Sequence, residues 1–323
     1  MHYNISHVIV SIDHLTMRSD TRTSLSFDPR SISSHTLLRG TPLKVNQSPH
    51  YSFAYDYIHR RTSNKVIILA HMRGKDHFVP NLLVKFFSSW DNHLSYPEVI
   101  ALLNDLTREY NIGFEISRFH LALDLFSPLA QYYFHLLSGC VKSGRKISPQ
   151  QTHPTTYRWH SRDSLFCLES YDKREQLLAT DKELSPPAQR ALKTSHVTRF
   201  ELKFNHLFLA GDMPTLPALA TLDFRSLYPR CLQFLQPDSV WLKGLGPSAN
   251  KYRDLSLVRL RDVLARRHAV TSNFFYHLQD NPNLSEPVVK ALRSYHWCRN
   301  PHRFPLAQPK AALKSPAVRF IRL

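Results

Sequence analysis

The segment from Val197 to Phe204 alternates strictly between apolar and polar residues. Successive side chains of an extended segment point to opposite faces, so this alternation predicts a strand with one face in a hydrophobic core. Three apolar side chains share one face and three charged ones share the other: Phe200, Leu202 and Phe204 against Arg199, Glu201 and Lys203. A carboxylate between two cations suggests a site that handles phosphate together with a metal ion.

A second alternating run, from Phe114 to Phe126, predicts a long strand whose polar face carries His120, Ala122 and Asp124. The apolar face alone is enough to bury this strand, so the two ionisable residues are candidates for chemistry, with a solvated polar face as the alternative. Positions 120 and 124 lie roughly 13 Å apart along a strand, so both cannot ligate one ion unless the strand is distorted. His120, next to the small Ala122, is the better ligand candidate.

A third strand is expected from Leu165 to Tyr171. If the chain stays extended to its end, Glu169, Tyr171 and Lys173 lie on one face. A tyrosine can act as a nucleophile, but its phenol has a pKa near 10 and needs a cation, a base or a metal. Lys173 could lower that pKa or hold a phosphate oxygen. The alternative is a tyrosine at the rim of a sheet beside a solvated lysine.

The remaining patterns predict a mixture of strands and helices. Strands are expected at residues 7–12, 51–57 and 65–70, and helices at 95–110, 127–137, 173–184, 252–267 and 285–297, with a polar basic loop at 141–154. Together these elements predict a domain of mixed α and β structure over residues 1–210. A mostly helical, basic region is expected over residues 211–323.

Composition and charge favour a folded protein with a cationic surface. Of the 323 residues, 42% are hydrophobic and 21% charged, and the net charge is +17 without a Lys/Arg tail. Nucleic acid is therefore the expected partner, ahead of an anionic membrane surface. No run of 18 apolar residues and no secretory signal occurs, so no membrane span is expected. The four cysteines are far apart, which fits reduced thiols in a cytoplasm.

The polar faces of the three strands suggest one chemistry when taken together. A hard divalent ion accepts carboxylate and imidazole, and it could polarise a phosphodiester while a tyrosine attacks in line. Periodicity does not show that the strands are neighbours. The chain has no phosphate-binding glycine loop, no dinucleotide-binding glycine turn, and no zinc-protease or serine-hydrolase motif.

Three motifs carry a resemblance to a known family. They occur in the order Ile116–His120, Glu169–Lys173 and Val197–Glu201, with the last two centred on a Tyr-Asp-Lys triplet and an Arg-aromatic-Glu strand. This order resembles the filamentous phage replication initiators of the gene II type, and more distantly the rolling-circle initiators of plasmids. The similarity covers about residues 50–210, and Val318–Ile321 is similar to the family's C-terminus.

The resemblance implies an α+β fold with an antiparallel-sheet nuclease domain of the rolling-circle type. It implies an enzyme that nicks origin DNA of a phage or plasmid replicon in the bacterial cytoplasm, working with a host helicase and DNA polymerase. Tyr171 would be the nucleophile that stays on the 5′ phosphate, with Lys173 stabilising charge. Mg²⁺ or Mn²⁺ would sit at position 120 and Glu201. Position 120 is histidine where the family usually has aspartate, and Asp124, which matches the plasmid-type pattern, is a further candidate metal ligand.

The basic residues are the candidates for contact with DNA. Those expected to bind it are Arg118, Arg199, Lys203, Arg259 and Arg266. Two other classes of protein remain open: a non-enzymatic origin-binding protein such as a repressor, and a basic protein that coats single-stranded DNA. Both become more attractive if Tyr171, His120 and Glu201 lie more than about 15 Å apart without a shared cleft.

Overall fold

The structure, a computed structural model, describes residues 8–19, 38–43, 50–60, 62–72, 82–89, 92–126, 135–136, 150–153, 156–159, 166–180, 196–206, 209, 215–228, 230–249 and 278–298. Within these ranges the strands are β1 Val8–Ser19, β2 Leu38–Leu43, β3 Tyr51–His59, β4 Lys65–Met72, β5 Leu82–Phe87, β6 Phe114–Phe126, β7 His135–Leu136, β8 Gln150–His153, β9 Thr156–Trp159, β10 Phe166–Asp172, β11 Val197–Asn205, β12 Gln233–Pro237 and β13 Leu278–Asp280. The α-helices are α1 Tyr96–Tyr110, α2 Lys173–Thr180, α3 Leu216–Thr221, α4 Ser239–Gly244 and α5 Pro282–Ser294.

Ten of these strands form one sheet in the order β2-β3-β4-β5-β1-β6-β11-β10-β9-β8. Every pairing along this order is antiparallel. The strands β13, β12 and β7 form a second, three-stranded sheet. The three strands with polar faces in the sequence, β6, β11 and β10, are direct neighbours in the large sheet. The sheet therefore brings those polar faces onto one surface.

The opposite face of the large sheet packs against helices and forms the hydrophobic core. Side chains of β6 and β11 interlock there, and the rings of Phe119 and Phe204 stack at 5.5 Å between centroids. Helices α1 and α5 contribute their buried apolar stripes to the same core. Trp297, just after α5, is fully buried, and its indole Nε1 donates a hydrogen bond to the Leu94 carbonyl at 2.9 Å.

The core includes residues from both sides of the predicted boundary near position 210. Phe234 of β12 meets Phe200 of β11 edge to face, with 5.3 Å between ring centroids. Phe224 contacts both Phe119 and Tyr295 through their rings. Full burial of one such side chain is worth about 1.5–3 kcal/mol. The described residues on the two sides of position 210 therefore stabilise each other through shared apolar burial.

Several predicted elements are confirmed, with local corrections. Helix α1 ends at Tyr110, and its C-cap residue Asn111 adopts a left-handed conformation with φ of 51°. The helix predicted over residues 127–137 is wrong at its end, because residues 135–136 form β7. The loop predicted over 141–154 contains β8, since residues 150–153 pair with β9. Residues after 210 include β12 and β13 as well as helices. The predicted helix at 252–267 lies outside the described residues.

Among the described helices, none has the length and apolar character needed to cross a bilayer.

Candidate active site

The polar face of the large sheet carries a cluster of ionisable side chains on four neighbouring strands. Most of them are buried, although they lie on the face opposite the hydrophobic core. The members are Asp13 and His14 of β1, His120 and Asp124 of β6, Arg199, Glu201 and Lys203 of β11, and Glu169 and Tyr171 of β10. Burial makes each charge costly unless it is paired, so the pairing pattern determines what each residue can do.

His120 and Glu201 form the centre of this cluster. Their strands pair directly, and the Nδ1 of His120 lies 2.7 Å from Oε1 of Glu201. Burial opposes ionisation of Glu201, but the hydrogen bond from His120 and the nearby Lys203 hold the pKa of Glu201 below its ordinary value. An ionised carboxylate only accepts hydrogen bonds, so Nδ1 carries the donated proton. In the neutral ring the lone pair is then on Nε2, which is buried and has no hydrogen-bond partner among the residues that the structure describes.

Tyr171 is the third member of this centre. Its hydroxyl donates a hydrogen bond of 3.3 Å to Oε2 of Glu201, so the carboxylate bridges His120 and the phenol. Burial and the negative charge of Glu201 raise the pKa of Tyr171 well above 10. The phenol is therefore protonated at neutral pH. It needs a proton acceptor and added positive charge before it can attack.

Lys173 lies close to Tyr171, but not in the way that an extended segment predicts. Strand β10 ends at Asp172, and Lys173 is the first residue of α2. Its Nζ lies 5.7 Å from the centroid of the Tyr171 ring. It also donates a hydrogen bond of 2.8 Å to Gln176. Burial and the nearby Arg199 lower the pKa of Lys173 to about 8, so its charge is sensitive to mildly alkaline pH.

Asp124 and Arg199 form a buried ion pair. Both oxygens of Asp124 accept hydrogen bonds from the Arg199 guanidinium, each at 2.6 Å, and Asp124 is fully buried. Arg199 also donates to Asp13 at 2.5 Å. This geometry departs from the roles expected from the sequence, because Arg199 is inside the fold and Asp124 is fully engaged with it. We therefore assign the pair to holding β6, β11 and β1 together, and not to DNA or metal contact.

Asp13 and His14 belong to the site, although the sequence pattern predicts a first strand that ends at residue 12. The register between β1 and β6 shifts between Ile12 and His14, as in a β-bulge. Ile12 and Leu15 both enter the core, so the two residues between them lie on the polar side. The available signal is a core spacing of three residues, from Ile12 to Leu15, within a run that otherwise alternates by two.

The His14 ring packs against His120, with 4.6 Å between ring centroids and an edge-to-face angle of 70°. Its Nε2 lies 2.9 Å from Oγ1 of Thr16, and its ring stacks on Phe87. Burial and the neighbouring His120 lower the pKa of His14 to about 3. His14 is therefore neutral at physiological pH, and its ring covers one side of the His120 ring.

Two further ion pairs close the other side of the site. The Glu169 carboxylate accepts hydrogen bonds from Arg158 of β9 and from Lys203, each at 2.5 Å. The Nζ of Lys203 also lies 3.7 Å from Oε2 of Glu201. Burial disfavours the charge of Lys203, but Glu201 and Glu169 raise its pKa above its ordinary value. Lys203, predicted to contact DNA, thus places a positive charge beside Glu169 and Glu201.

A divalent ion fits this site only in a limited way. Across the described ranges, no three side chains of His, Cys, Asp or Glu are placed to hold one ion. The unpartnered, buried Nε2 of His120 is a suitable donor, and Glu201 on the other ring nitrogen fixes its orientation. Mg²⁺ commonly takes its remaining ligands from water and substrate phosphate oxygens. Among the described residues the site therefore offers one protein nitrogen to a divalent ion, whose other ligands would be water and phosphate oxygens.

The predicted DNA-binding residues fall in different places. Arg118 is exposed on the polar face of β6, two residues from His120. Arg259 and Arg266 lie outside the described residues. Tyr171, Lys173, His120 and Glu201, which the sequence suggests for one site, lie together in the structure, with Lys173 at the start of α2 and not on the face of β10.

Comparisons with known proteins give little further support. No protein-family model matches the chain, and no curated protein matches it. A solved structure of the rolling circle replication initiator protein from Geobacillus stearothermophilus aligns with 80% of this chain and 96% of its own. The aligned residues are 10% identical, and the TM-score is 0.38. A score this low does not establish a shared fold, so the function proposed below rests on the site and its motifs.

Proposed function

We propose that the protein nicks one strand of origin DNA by transfer to Tyr171 and later rejoins the strand, as a rolling-circle replication initiator does. The observation that carries this proposal is the hydrogen-bonded line from His120 through Glu201 to Tyr171 on three adjacent strands. A phenol, a carboxylate and an imidazole with a free nitrogen form a site for attack on a phosphodiester. The net charge of +17 suits the polyanionic substrate.

In the proposed step the Tyr171 oxygen attacks the scissile phosphorus, and the bond from phosphorus to the 3′ oxygen breaks. Glu201 accepts the phenol's hydrogen bond, so it is placed to receive the proton during attack. The departing 3′ oxygen takes a proton from water and becomes a 3′ hydroxyl. The 5′ phosphate stays on Tyr171 as a phosphodiester. Because that bond keeps the energy of the one that broke, a 3′ hydroxyl can later reverse the step without ATP.

The cations around Tyr171 would offset the charge that develops on phosphate. Lys203 lies next to Glu201, and Lys173 lies beside the phenol ring. His120 would hold Mg²⁺ or Mn²⁺ through Nε2, with Glu201 as the carboxylate that orients the ring. The ion, when bound, would polarise the phosphodiester and draw charge away from its oxygens. Binding energy for the strand would come from exposed cations such as Arg118.

A nicking assay tests this proposal. Supercoiled plasmids that carry fragments of the DNA encoding the protein are incubated with protein and Mg²⁺ or Mn²⁺, and open circles are counted. Tyr171→Phe should abolish nicking and retain DNA affinity, because only the nucleophilic oxygen is removed. Tyr157→Phe is the matched control, since the Tyr157 backbone pairs with Ser170 on the neighbouring strand.

The outcomes separate the alternatives. Full nicking by Tyr171→Phe would show that Tyr171 is not the nucleophile. Loss of nicking in Tyr157→Phe alone would instead identify Tyr157 of β9 as the nucleophile. Site-specific binding without nicking or metal dependence would instead support an origin-binding protein. Binding without site preference would support a protein that coats single strands.

A further inference from the structure

A row of three side chains crosses the polar face beside the proposed active site. Thr16 of β1 pairs with Lys85 of β5 on one side and with Arg118 of β6 on the other. The adjacent row contains His14 and His120, which are paired across the same two strands. Two residues along a strand correspond to roughly 7 Å. The two cations therefore flank Thr16 one short step from the site that would hold the scissile phosphate.

This row has unbalanced positive charge. Neither Lys85 nor Arg118 forms an ion pair with any described residue. Burial lowers the pKa of Lys85, and the positive charge of the nearby Arg118 lowers it further. The next row differs, because Arg18 forms an ion pair of 2.9 Å with Glu115 directly across from it. Two cations without an acid on a sheet face favour an anion between them.

The row is also connected to the site. Oγ1 of Thr16 lies 2.9 Å from Nε2 of His14, and the His14 ring packs on His120. Lys85 is partly buried and Arg118 is exposed, so both charges face a surface that a DNA backbone can reach. Two residues along a protein strand cover roughly 7 Å, a distance that the sugar-phosphate backbone between neighbouring phosphates of an extended DNA strand can span.

We propose that Lys85 and Arg118, with Thr16 between them, bind the backbone phosphate adjacent to the scissile one. This inference rests on the proposed function, because it takes the His120 site as the place of the scissile phosphate. The two cations are positioning residues: they fix the register of the strand so that the scissile phosphate meets Tyr171. A phosphate contact of this kind carries no base preference.

Binding to single-stranded oligonucleotides tests the row. The full chain with Tyr171→Phe is compared with versions that add K85Q and R118Q together, using fluorescence anisotropy across a salt series. Removing both cations should weaken binding about tenfold and reduce the salt slope by about 0.7, the value for one neutralised phosphate on a single strand. The matched control is K290Q with R293Q. Those cations are exposed on α5, which packs on the opposite face of the sheet.

Phosphate replacement locates the contact. Oligonucleotides that carry one neutral methylphosphonate at successive positions are bound to the same proteins. With Lys85 and Arg118 present, neutralising the phosphate next to the nick should weaken binding about as much as K85Q with R118Q does. In the double variant the same replacement should have no further effect. An equal loss in the control pair, or a sensitive phosphate that persists in the double variant, would overturn the inference.

The two proposals fail in different ways. If the wild-type chain never nicks but the double variant loses one phosphate contact, the proposed reaction is wrong, and Lys85 and Arg118 bind a backbone phosphate that has no scissile neighbour. If the wild-type chain nicks DNA, and the double variant nicks and binds DNA as well as the wild-type chain, the phosphate site is wrong and the reaction stands.

Discussion

Replacing Asp124 by asparagine should destabilise the fold far more than the loss of a surface charge would. The carboxylate is fully buried and bonded twice to Arg199, itself only 2% exposed. Breaking a buried ion pair by removing one partner costs about 3–5 kcal/mol, because the other charge is left uncompensated. Asp13 also pairs with Arg199, so part of its charge stays balanced. We therefore expect a loss of about 3 kcal/mol for Asp124→Asn.

Urea unfolding followed by tryptophan fluorescence measures this loss. The combined replacement Asp13→Asn, Asp124→Leu and Arg199→Met should recover at least half of it, because the whole charge cluster is removed and apolar side chains often replace a buried ion pair at little cost. Asp105→Asn is the matched control. Its pair with Arg108 on α1 is exposed, so the change should cost less than about 1 kcal/mol.

The result also decides what Asp124 does. A free energy of unfolding within about 1 kcal/mol of wild type for Asp124→Asn, together with loss of metal-dependent activity, would refute the assignment of Asp124 to a structural pair.

Three more predictions follow from the same face of the sheet and its core. Burial lowers the pKa of Lys173 to about 8, so its charge is present below that pH and lost above it. Arginine stays charged, so the nicking rate of K173R divided by that of wild type should rise above pH 8. A ratio that does not change with pH would exclude a role for this charge. His120→Ala should abolish the Mn²⁺ dependence of DNA binding or nicking, whereas the exposed His206→Ala should not, as a Mn²⁺ titration would show. Trp297→Phe should cost about 1–3 kcal/mol in urea unfolding, because the buried Leu94 carbonyl loses its donor, with DNA affinity unchanged.

The sequence predicts the strands of the site well because their alternation is local. Phe200 and Leu202 enter the core, and Glu201 lies on the other face, as the period of two requires. The pairing of β11 with β6 and β10 is not encoded in any one strand's periodicity, so the contact between Glu201 and Tyr171 follows only from the folded sheet.

Other features of the site cannot be predicted from the sequence because they depend on tertiary structure. The bulge at Asp13 turns two consecutive residues to the same side, which a strict period of two excludes. Burial of the polar face is not visible in the alternation of apolar and polar residues. The sequence therefore suggests DNA contact for Arg199 and metal binding for Asp124, whereas in the structure the two side chains bind each other. Lys173 leaves the face of β10 because the strand ends one residue before it.

A covalent bond between DNA and Tyr171 is the central claim, and peptide mapping tests it most directly. A single-stranded origin oligonucleotide is incubated with the full chain and Mn²⁺, the adduct is digested with nuclease and protease, and the nucleotide-bearing peptide is sequenced by mass spectrometry. The account predicts one modified residue, Tyr171, joined to a 5′ phosphate, with a free 3′ hydroxyl on the released fragment. A nucleotide on another residue, or cleavage that leaves no adduct at any time, would contradict it.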